Sequence, residues 1–466
     1  MGTADAQQFV RWGLRHGLMR RFLVHRARSG DIGARLMIDP ELRDDPYPHY
    51  EQLRAQGRTV LTGLALNSAD HAVCTAVLRS PDFGTGFRAP RELPALTRTA
   101  VRLSSGGPLS PGEPPSILAV DPPDHTRYRK LVTRAFSARA IAALRERVAR
   151  IADDLLDAMA AKAAADGTVD LVADYASLLP ATVIAEMLGA PVTMRRQFLH
   201  WGAGAALALD PGLPYRAFRR AEHDMLALQR WMVGHFDQIR RSPGDDILSA
   251  LVAVHDEGAV QQDGQGLADD ELTSIAMLLL AAGFETTQNL LGNGAALLVR
   301  HPEQLARLRA GTASWATATD EVLRFDSPVQ RTARMARRDT EVAGKSIRAG
   351  ELVVLILGGA NRDPVVFADP HRFDVTRADA DRHIAFSQGI HYCLGAGLAR
   401  MEGEIGLRAL FERFPDLALA APPHRRPTRL LRGFDAMPVT LGAAVSRGRG
   451  ARARRTGARA RPPGRP

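Results

Sequence analysis

Between Asp269 and Arg300 the sequence carries its longest apolar helical pattern, hydrophobic on nearly every face from Ile275 to Ala282. A helix of that kind has no face to give to water, so it runs through a core and its neighbours pack around it. No uninterrupted apolar run reaches the ~18 residues that span a bilayer. The pattern therefore belongs inside a mainly α-helical fold and not in a transmembrane segment. The helix is interrupted by Ala282-Gly283-Phe284-Glu285-Thr286-Thr287. Glycine within a helix costs about 1 kcal/mol relative to alanine, and a glutamate among buried positions must be desolvated. One sufficient reading is a helix that turns the acid to solvent while Thr286 bonds back to the carbonyl of Ala282.

Around this helix, the 466 residues are 45% hydrophobic, enough for a sizeable core. The two cysteines, Cys74 and Cys393, provide no disulfide framework, which fits a reducing cytoplasm. No apolar stretch with a small-residue cleavage site opens the chain, so export is not expected. The net charge of +10 is carried by the ends. Six arginines against one aspartate in residues 1–30 (+5) and eight arginines with no acid in 447–466 (+8) leave −3 for the rest. Three parts follow: a basic extension over 1–39, one folded domain over 40–445, and a disordered arginine-rich tail over 446–466. In the extension, Val10, Leu14, Leu18 and Phe22 stand four apart, with Arg11, Arg15, Arg20 and Arg21 on other faces. That spacing fits a helix on a membrane surface, or a helix packed on its own domain with its arginines in solvent. Nucleic-acid binding by the tail is not expected; a solvated extension is the simpler reading.

Residues 81–120 are rich in Pro, Gly and Ser and read as a long loop, a length usually tied to function. Asp121-Pro122-Pro123-Asp124 then opens a basic helix in which His125 and Arg129, four apart, share a face. Helical patterns continue to about 258. Pro328–Arg334 and Glu341–Leu357 look extended, the latter as a hairpin turned at Arg348-Ala349-Gly350, with short strands after Pro415.

Phe386-Ser387-Gln388-Gly389-Ile390-His391-Tyr392-Cys393-Leu394-Gly395 precedes another helical pattern. Cys393 stands before a helix N-terminus, where the dipole and free N–H groups favour a thiolate. Gly389 and Gly395 allow a tight turn and close approach to a flat ligand. A lone cysteine is more often a small core residue, and Cys74 is read that way. The complete pattern Phe-x-x-Gly-x-His-x-Cys-x-Gly, however, resembles the haem-binding loop of the cytochrome P450 family, with Ser387 where many members carry glycine. Ala-Gly-x-Glu-Thr at 282–286 is similar to the family's oxygen-activating helix, Glu321-Val322-Leu323-Arg324 to its Glu-x-x-Arg pair, and 121–131 to its propionate-binding helix.

The resemblance, over roughly 40–442, implies a mainly α fold with a small β-rich region. It implies a monooxygenase containing haem b (iron protoporphyrin IX). One atom of O₂ would be inserted into a small hydrophobic organic substrate, with electrons from NAD(P)H through a separate ferredoxin and ferredoxin reductase. Cys393 becomes the iron ligand. His125, Arg129, Arg334 and His391 become propionate-binding residues. Thr286 and Glu285 become the proton-delivery pair, beside a local opening of the helix at Gly283. Arg372 joins Glu321 and Arg324 in a buried ion network, and Arg127, Lys130 and Arg134 offer charge to an acidic ferredoxin. An H₂O₂-driven peroxygenase or a non-catalytic haem sensor would share the fold; the acid–threonine pair argues against the first.

Overall fold

A computed structural model describes residues 3–63, 65–85, 106–261 and 266–443. Much of the expected 81–120 loop and the whole 446–466 tail lie outside the described residues. The helices that build the site are, in chain order, α1 (Thr3–Trp12), α2 (Leu18–Arg28), α3 (Asp124–Thr133), α4 (Ala138–Asp166), α5 (Leu178–Met187), α6 (Arg195–Ala208), α7 (Tyr215–Arg241), α8 (Asp269–Arg300), α9 (Trp315–Phe325) and α10 (Ala396–Arg413). Ser137 caps α4, accepting from the Ala140 N–H, and Ser314 caps α9 through the Thr317 N–H.

Helix α8 is buried at every residue from Thr287 to Leu298. It threads two apolar clusters. Leu272–Phe284 packs with Phe198 and Trp201 of α6 and with Met225 and Phe236 of α7. Leu290–Leu298 packs with Leu155 and Leu156 of α4, Leu179 of α5, and Leu407 and Phe411 of α10. At about 1.5–3 kcal/mol per fully buried large apolar side chain, these contacts are the principal stabilisation of the fold. Between the clusters lies a polar turn, Glu285–Asn289.

The sheet is small. Strands β1 (Val60–Thr62), β2 (Ala65–Ser68), β3 (Phe83–Gly84), β4 (Thr332–Ala336), β5 (Thr340–Val342), β6 (Lys345–Ile347) and β7 (Leu352–Leu355) include one five-stranded sheet in the order β1-β2-β7-β4-β3. Alternation along β4 puts Arg334 on its buried side, opposite Val353. The hairpin expected to turn at Arg348–Gly350 turns instead between β5 and β6, at Ala343 (φ 51°) and Gly344 (φ 78°). Two successive positive φ angles suit a tight hairpin. Gly350 leads into β7, which pairs with β2 and β4.

The Glu321–Arg324 pair on α9 is wholly inaccessible, with Nε to Oε2 at 2.7 Å and Nη2 to Oε1 at 2.8 Å. Arg324 also donates to the carbonyls of Asn361 and Pro370, both at 3.0 Å. The third member differs from the expectation. Arg372 contributes only its carbonyl to Arg324, at 3.2 Å, while its side chain is half exposed and pairs with Asp374. Arg377 supplies the second cation, its Nε 3.3 Å from Glu321, and donates to the carbonyls of Ala368 and Asp369. The turn at Asp369 (φ 45°), closed by the Arg372 N–H, sends Arg372 outward and brings Arg377 back.

Glu402 on α10 is buried, and neither carboxyl oxygen has a hydrogen-bond partner among the described residues. Desolvation alone pushes it up to about 8, so it is neutral at pH 7.

Two consequences can be measured. Arg377→Ala leaves the buried Glu321 short of a cation and should lower stability by about 3 kcal/mol, whereas Arg372→Ala should stay within about 0.5 kcal/mol of wild type; chemical denaturation distinguishes them. For Glu402 the folded pKa lies above the unfolded one, so the unfolded chain loses this proton first. Stability should fall by about 1.4 kcal/mol per pH unit from near 4.5 until the group ionises near 8. Glu402→Gln should remove that slope, with a gain of about 3 kcal/mol at pH 7 and none at pH 4.

Candidate active site

The Phe386–Gly395 loop is closed by the Cys393 N–H donating to the carbonyl of Phe386 at 2.9 Å. Gly389 (φ 68°) lies against the backbone of Leu78, an approach only glycine tolerates: a Cβ there would lie 2.2 Å from the carbonyl oxygen of Leu78. Behind the loop, Arg400 stacks over Phe386 at 4.7 Å and pairs with Asp320 at 2.7 Å. His383 meets the same aspartate at 3.2 Å. Ser387 adopts φ 63°, and its hydroxyl is buried with no partner.

Cys393 is accessible, yet enough protein surrounds it that desolvation pushes its thiol up, against the Gly395 N–H and the guanidinium groups of Arg129 and Arg400. Its open face therefore looks onto an internal space and not onto bulk water. Burial thus works against the thiolate that the helix end favours, while the Gly395 N–H, Arg129 and Arg400 work for it. A Cβ on Gly395 would meet no protein atom within 4 Å, so the loop edge is clear beside the sulfur.

Four expected residues gather at this place. The rings of His125 and His391 lie 4.2 Å apart. Burial lowers His391 to about 3, helped by Arg334, His125 and Arg129, so it is neutral at pH 7. His125 is lowered by burial and by Arg129, and its Nε2 is buried without a partner. Arg334 is lowered to about 10 by burial, and its Nη1 reaches only the Thr332 hydroxyl and the Ala333 carbonyl. Arg129 is lowered by burial and raised by Cys393. Among the described residues neither arginine has a carboxylate in ion-pair range. The carboxylate felt here is Asp121, which acts to raise His125, Arg334 and His391 and is itself paired with Arg337 at 2.8 Å.

Helix α8 keeps an accessible stripe in its otherwise buried length at Leu278, Leu279, Ala282, Gly283 and Thr286. The expected opening of the helix is not seen. Helix α8 is continuous, and Thr286 Oγ1 donates to the Ala282 carbonyl at 3.3 Å. Gly283 serves packing: a Cβ would lie 2.7 Å from Cγ1 of Ile184 on α5. Glu285 is buried and forms an ion pair with Arg426. Arg127, expected to be free for a partner, is held by Glu271 at 2.6 Å, while Lys130 and Arg134 are exposed. Cys74 is fully buried, with its thiol pushed up to about 12, and is ordinary core.

A family profile described as Cytochrome P450 matches residues 317–427. A Mycobacterium tuberculosis protein named for cytochrome P450 140 is 46% identical over 437 residues, 94% of this chain and 98% of its own. The chain belongs to the cytochrome P450 family. The monooxygenase PikC of Streptomyces venezuelae is 39% identical over 88% of this chain and 93% of its own. The vitamin D(3) 25-hydroxylase of Pseudonocardia autotrophica is 39% identical over 85% and 94%. The solved structure of myxobacterial CYP267B1 in complex with myristic acid superimposes with a TM-score of 0.76 at 34% identity, covering 88% of this chain and 99% of that one.

This P450 is therefore a haem-dependent monooxygenase of mainly α architecture. No helix among the described residues is long and apolar enough to cross a membrane. The residues present fit haem: a thiol on an internal space, a clear glycine edge, an orphaned histidine nitrogen, and two guanidinium groups without carboxylates suit a flat iron macrocycle bearing two carboxylates. Arg426 and Arg377 were not anticipated as partners of Glu285 and Glu321. Each belongs to an arginine-containing segment that carries no signal of its partner.

Ser387 gives a local test. A non-glycine residue at φ 63° costs about 1–2 kcal/mol, and the buried hydroxyl is unpaired. Ser387→Gly should raise stability by about 1 kcal/mol, read as a higher Tm with an unchanged carbon monoxide spectrum.

Proposed function

We propose that the P450 uses haem b to insert one oxygen atom of O₂ into a small hydrophobic organic substrate in the cytoplasm, with electrons from NAD(P)H through a separate reductase and ferredoxin. The observation that carries this reading is the gathering of Cys393 with Arg129, Arg334, His125 and His391, where two cations lack carboxylates. When bound, the haem supplies the activation of O₂ and the oxygen-transfer chemistry. Cys393 would hold the iron as thiolate, the metal's charge offsetting the desolvation that pushes the thiol up. Arg129 and Arg334 bind the propionates through charge-assisted hydrogen bonds. His125 and His391, neutral at pH 7, add N–H donors without adding charge.

Thr286, whose hydroxyl donates to the Ala282 carbonyl at 3.3 Å, would have to give up that bond to offer its proton to the accessible side of α8. Glu285 must release Arg426 to carry protons inward, so the ion pair sets a barrier on that route. The accessible stripe of α8 is aliphatic apart from Thr286, which supports an apolar substrate, as do the relatives named for vitamin D(3) hydroxylation and solved with myristic acid. Phe434 is buried against Gly292 and under Arg425 and belongs to the core. Lys130 and Arg134 remain as docking charges for an acidic ferredoxin. The catalytic fold is taken as 40–445.

Turnover with NAD(P)H, a surrogate ferredoxin and reductase should far exceed turnover in H₂O₂ alone; the reverse favours a peroxygenase, and neither favours a haem sensor. Cys393→Ser should abolish the long-wavelength Soret band of the reduced carbon monoxide form, and Cys74→Ser should retain it. Thr286→Ala should continue to consume NAD(P)H while diverting most of it to H₂O₂. Wild-type coupling in that variant, with a substrate lacking a hydroxyl near the reacting carbon, would remove Thr286 from proton delivery.

A further inference from the structure

Of the two orientations that the spacing of helices α1 and α2 allows, the one with arginines in solvent is not the one seen. Three of the four arginines, Arg11, Arg15 and Arg20, face the protein. Arg11 grips the buried Glu222 of α7 at 2.8 and 2.9 Å, Arg15 meets Glu113 at 2.9 Å, and Arg20 reaches toward the Gly212 carbonyl. Trp12 Nε1 donates to the Leu213 carbonyl at 2.8 Å. Part of the apolar surface is left outside: Phe9, Val10, Leu18 and Met19 are 46, 40, 63 and 37% exposed, while Leu14 and Phe22 are half-buried and Phe9 keeps an edge contact with Tyr215 of α7. No other stretch as short exposes as many large apolar side chains among the described residues. One further turn along the same face, Arg21, His25 and Arg28 are exposed. Neither Arg21 nor Arg28 has an ion pair among the described residues.

We propose that this outer face seats the protein peripherally on an anionic lipid surface, with Phe9, Val10, Leu18 and Met19 entering the headgroup boundary and Arg21 and Arg28 meeting lipid phosphates. A stripe along the helical run 3–28, apolar at one end and basic at the other, suits an interfacial helix. Its few side chains fall well short of the ~800 Å² per partner of a stable protein interface, and a bilayer requires no complementary pocket. The only acid in the first thirty residues is Asp5, so an anionic surface meets little repulsion. The inward arginines also explain why the apolar side cannot turn in: that would strand Glu222, 2% exposed, without its cation.

The test uses the haem-loaded full chain, tail included, sedimented with vesicles of phosphatidylcholine alone or mixed with phosphatidylglycerol. Binding should require phosphatidylglycerol and weaken with salt. Arg21→Gln with Arg28→Gln should reduce the partition coefficient about thirtyfold, at about 1 kcal/mol per cation. Val10→Glu with Leu18→Glu should reduce it at least about tenfold. Both variants should keep the wild-type Tm and carbon monoxide spectrum, because the altered side chains are exposed. No binding to phosphatidylglycerol vesicles would overturn the proposal. So would full binding by Val10→Glu/Leu18→Glu, which would assign the attraction to the arginine-rich tail. Dimerisation of the wild type without lipid, abolished in that variant and unaffected by vesicles, would assign the face to a second copy instead.

Discussion

A helix with no polar face must be enclosed, and the enclosure of α8 organises this molecule. Leu272–Phe284 and Leu290–Leu298 belong to two different apolar clusters, so helices α4 to α7, α9 and α10 gather around one axis. The polar turn Glu285–Asn289 falls where the clusters part, and Thr286 emerges there on the one accessible stripe. Polar chemistry in a core costs several kcal/mol unless partners are supplied. Placing it at the seam between clusters limits what must be desolvated.

Buried ions tie the remaining segments to this axis. Four arginines between Arg425 and Arg432 reach three parts of the fold. Arg425 donates to Asn293 of α8 at 2.9 Å and approaches Asp326 at 3.1 Å, and Arg432 binds the same Asp326 at 2.6 Å. Arg426 pairs with Glu285, and the backbone N–H of Arg429 donates to Asp210 at 2.9 Å. Asp326 also accepts from Tyr47 at 2.8 Å and is held well below the usual carboxylate range. Such pairs add little net stability compared with apolar packing, but losing one partner leaves a charge stranded. They therefore fix which segments lie together more than how tightly the chain folds.

The same physics divides the active site. Around Cys393 the protein supplies Arg129 and Arg334 without a carboxylate in ion-pair range, the nearby Asp121 being held by Arg337, a site suited to an anionic ligand. Around Glu285 it supplies a cation directly, so that acid is paired before any chemistry begins. At Cys393 burial opposes the thiolate, and the helix N-terminus, Arg129 and Arg400 favour it.

The long apolar helix, the cysteine loop and the Glu321–Arg324 pair were legible in the chain because each depends on residues within a turn or two of one another. The family resemblance rested on those local patterns. Ser387, noted there as a departure, proved to occupy a backbone conformation that favours glycine. What sequence could not specify was the choice among distant arginines: Arg377 over Arg372, Arg426 for Glu285, Glu271 for Arg127, and the inward turn of Arg11. Those choices depend on where a guanidinium arrives after the backbone has turned through space. An arginine reads the same in any run, and only a buried carboxylate waiting at the end of that path decides which one is held.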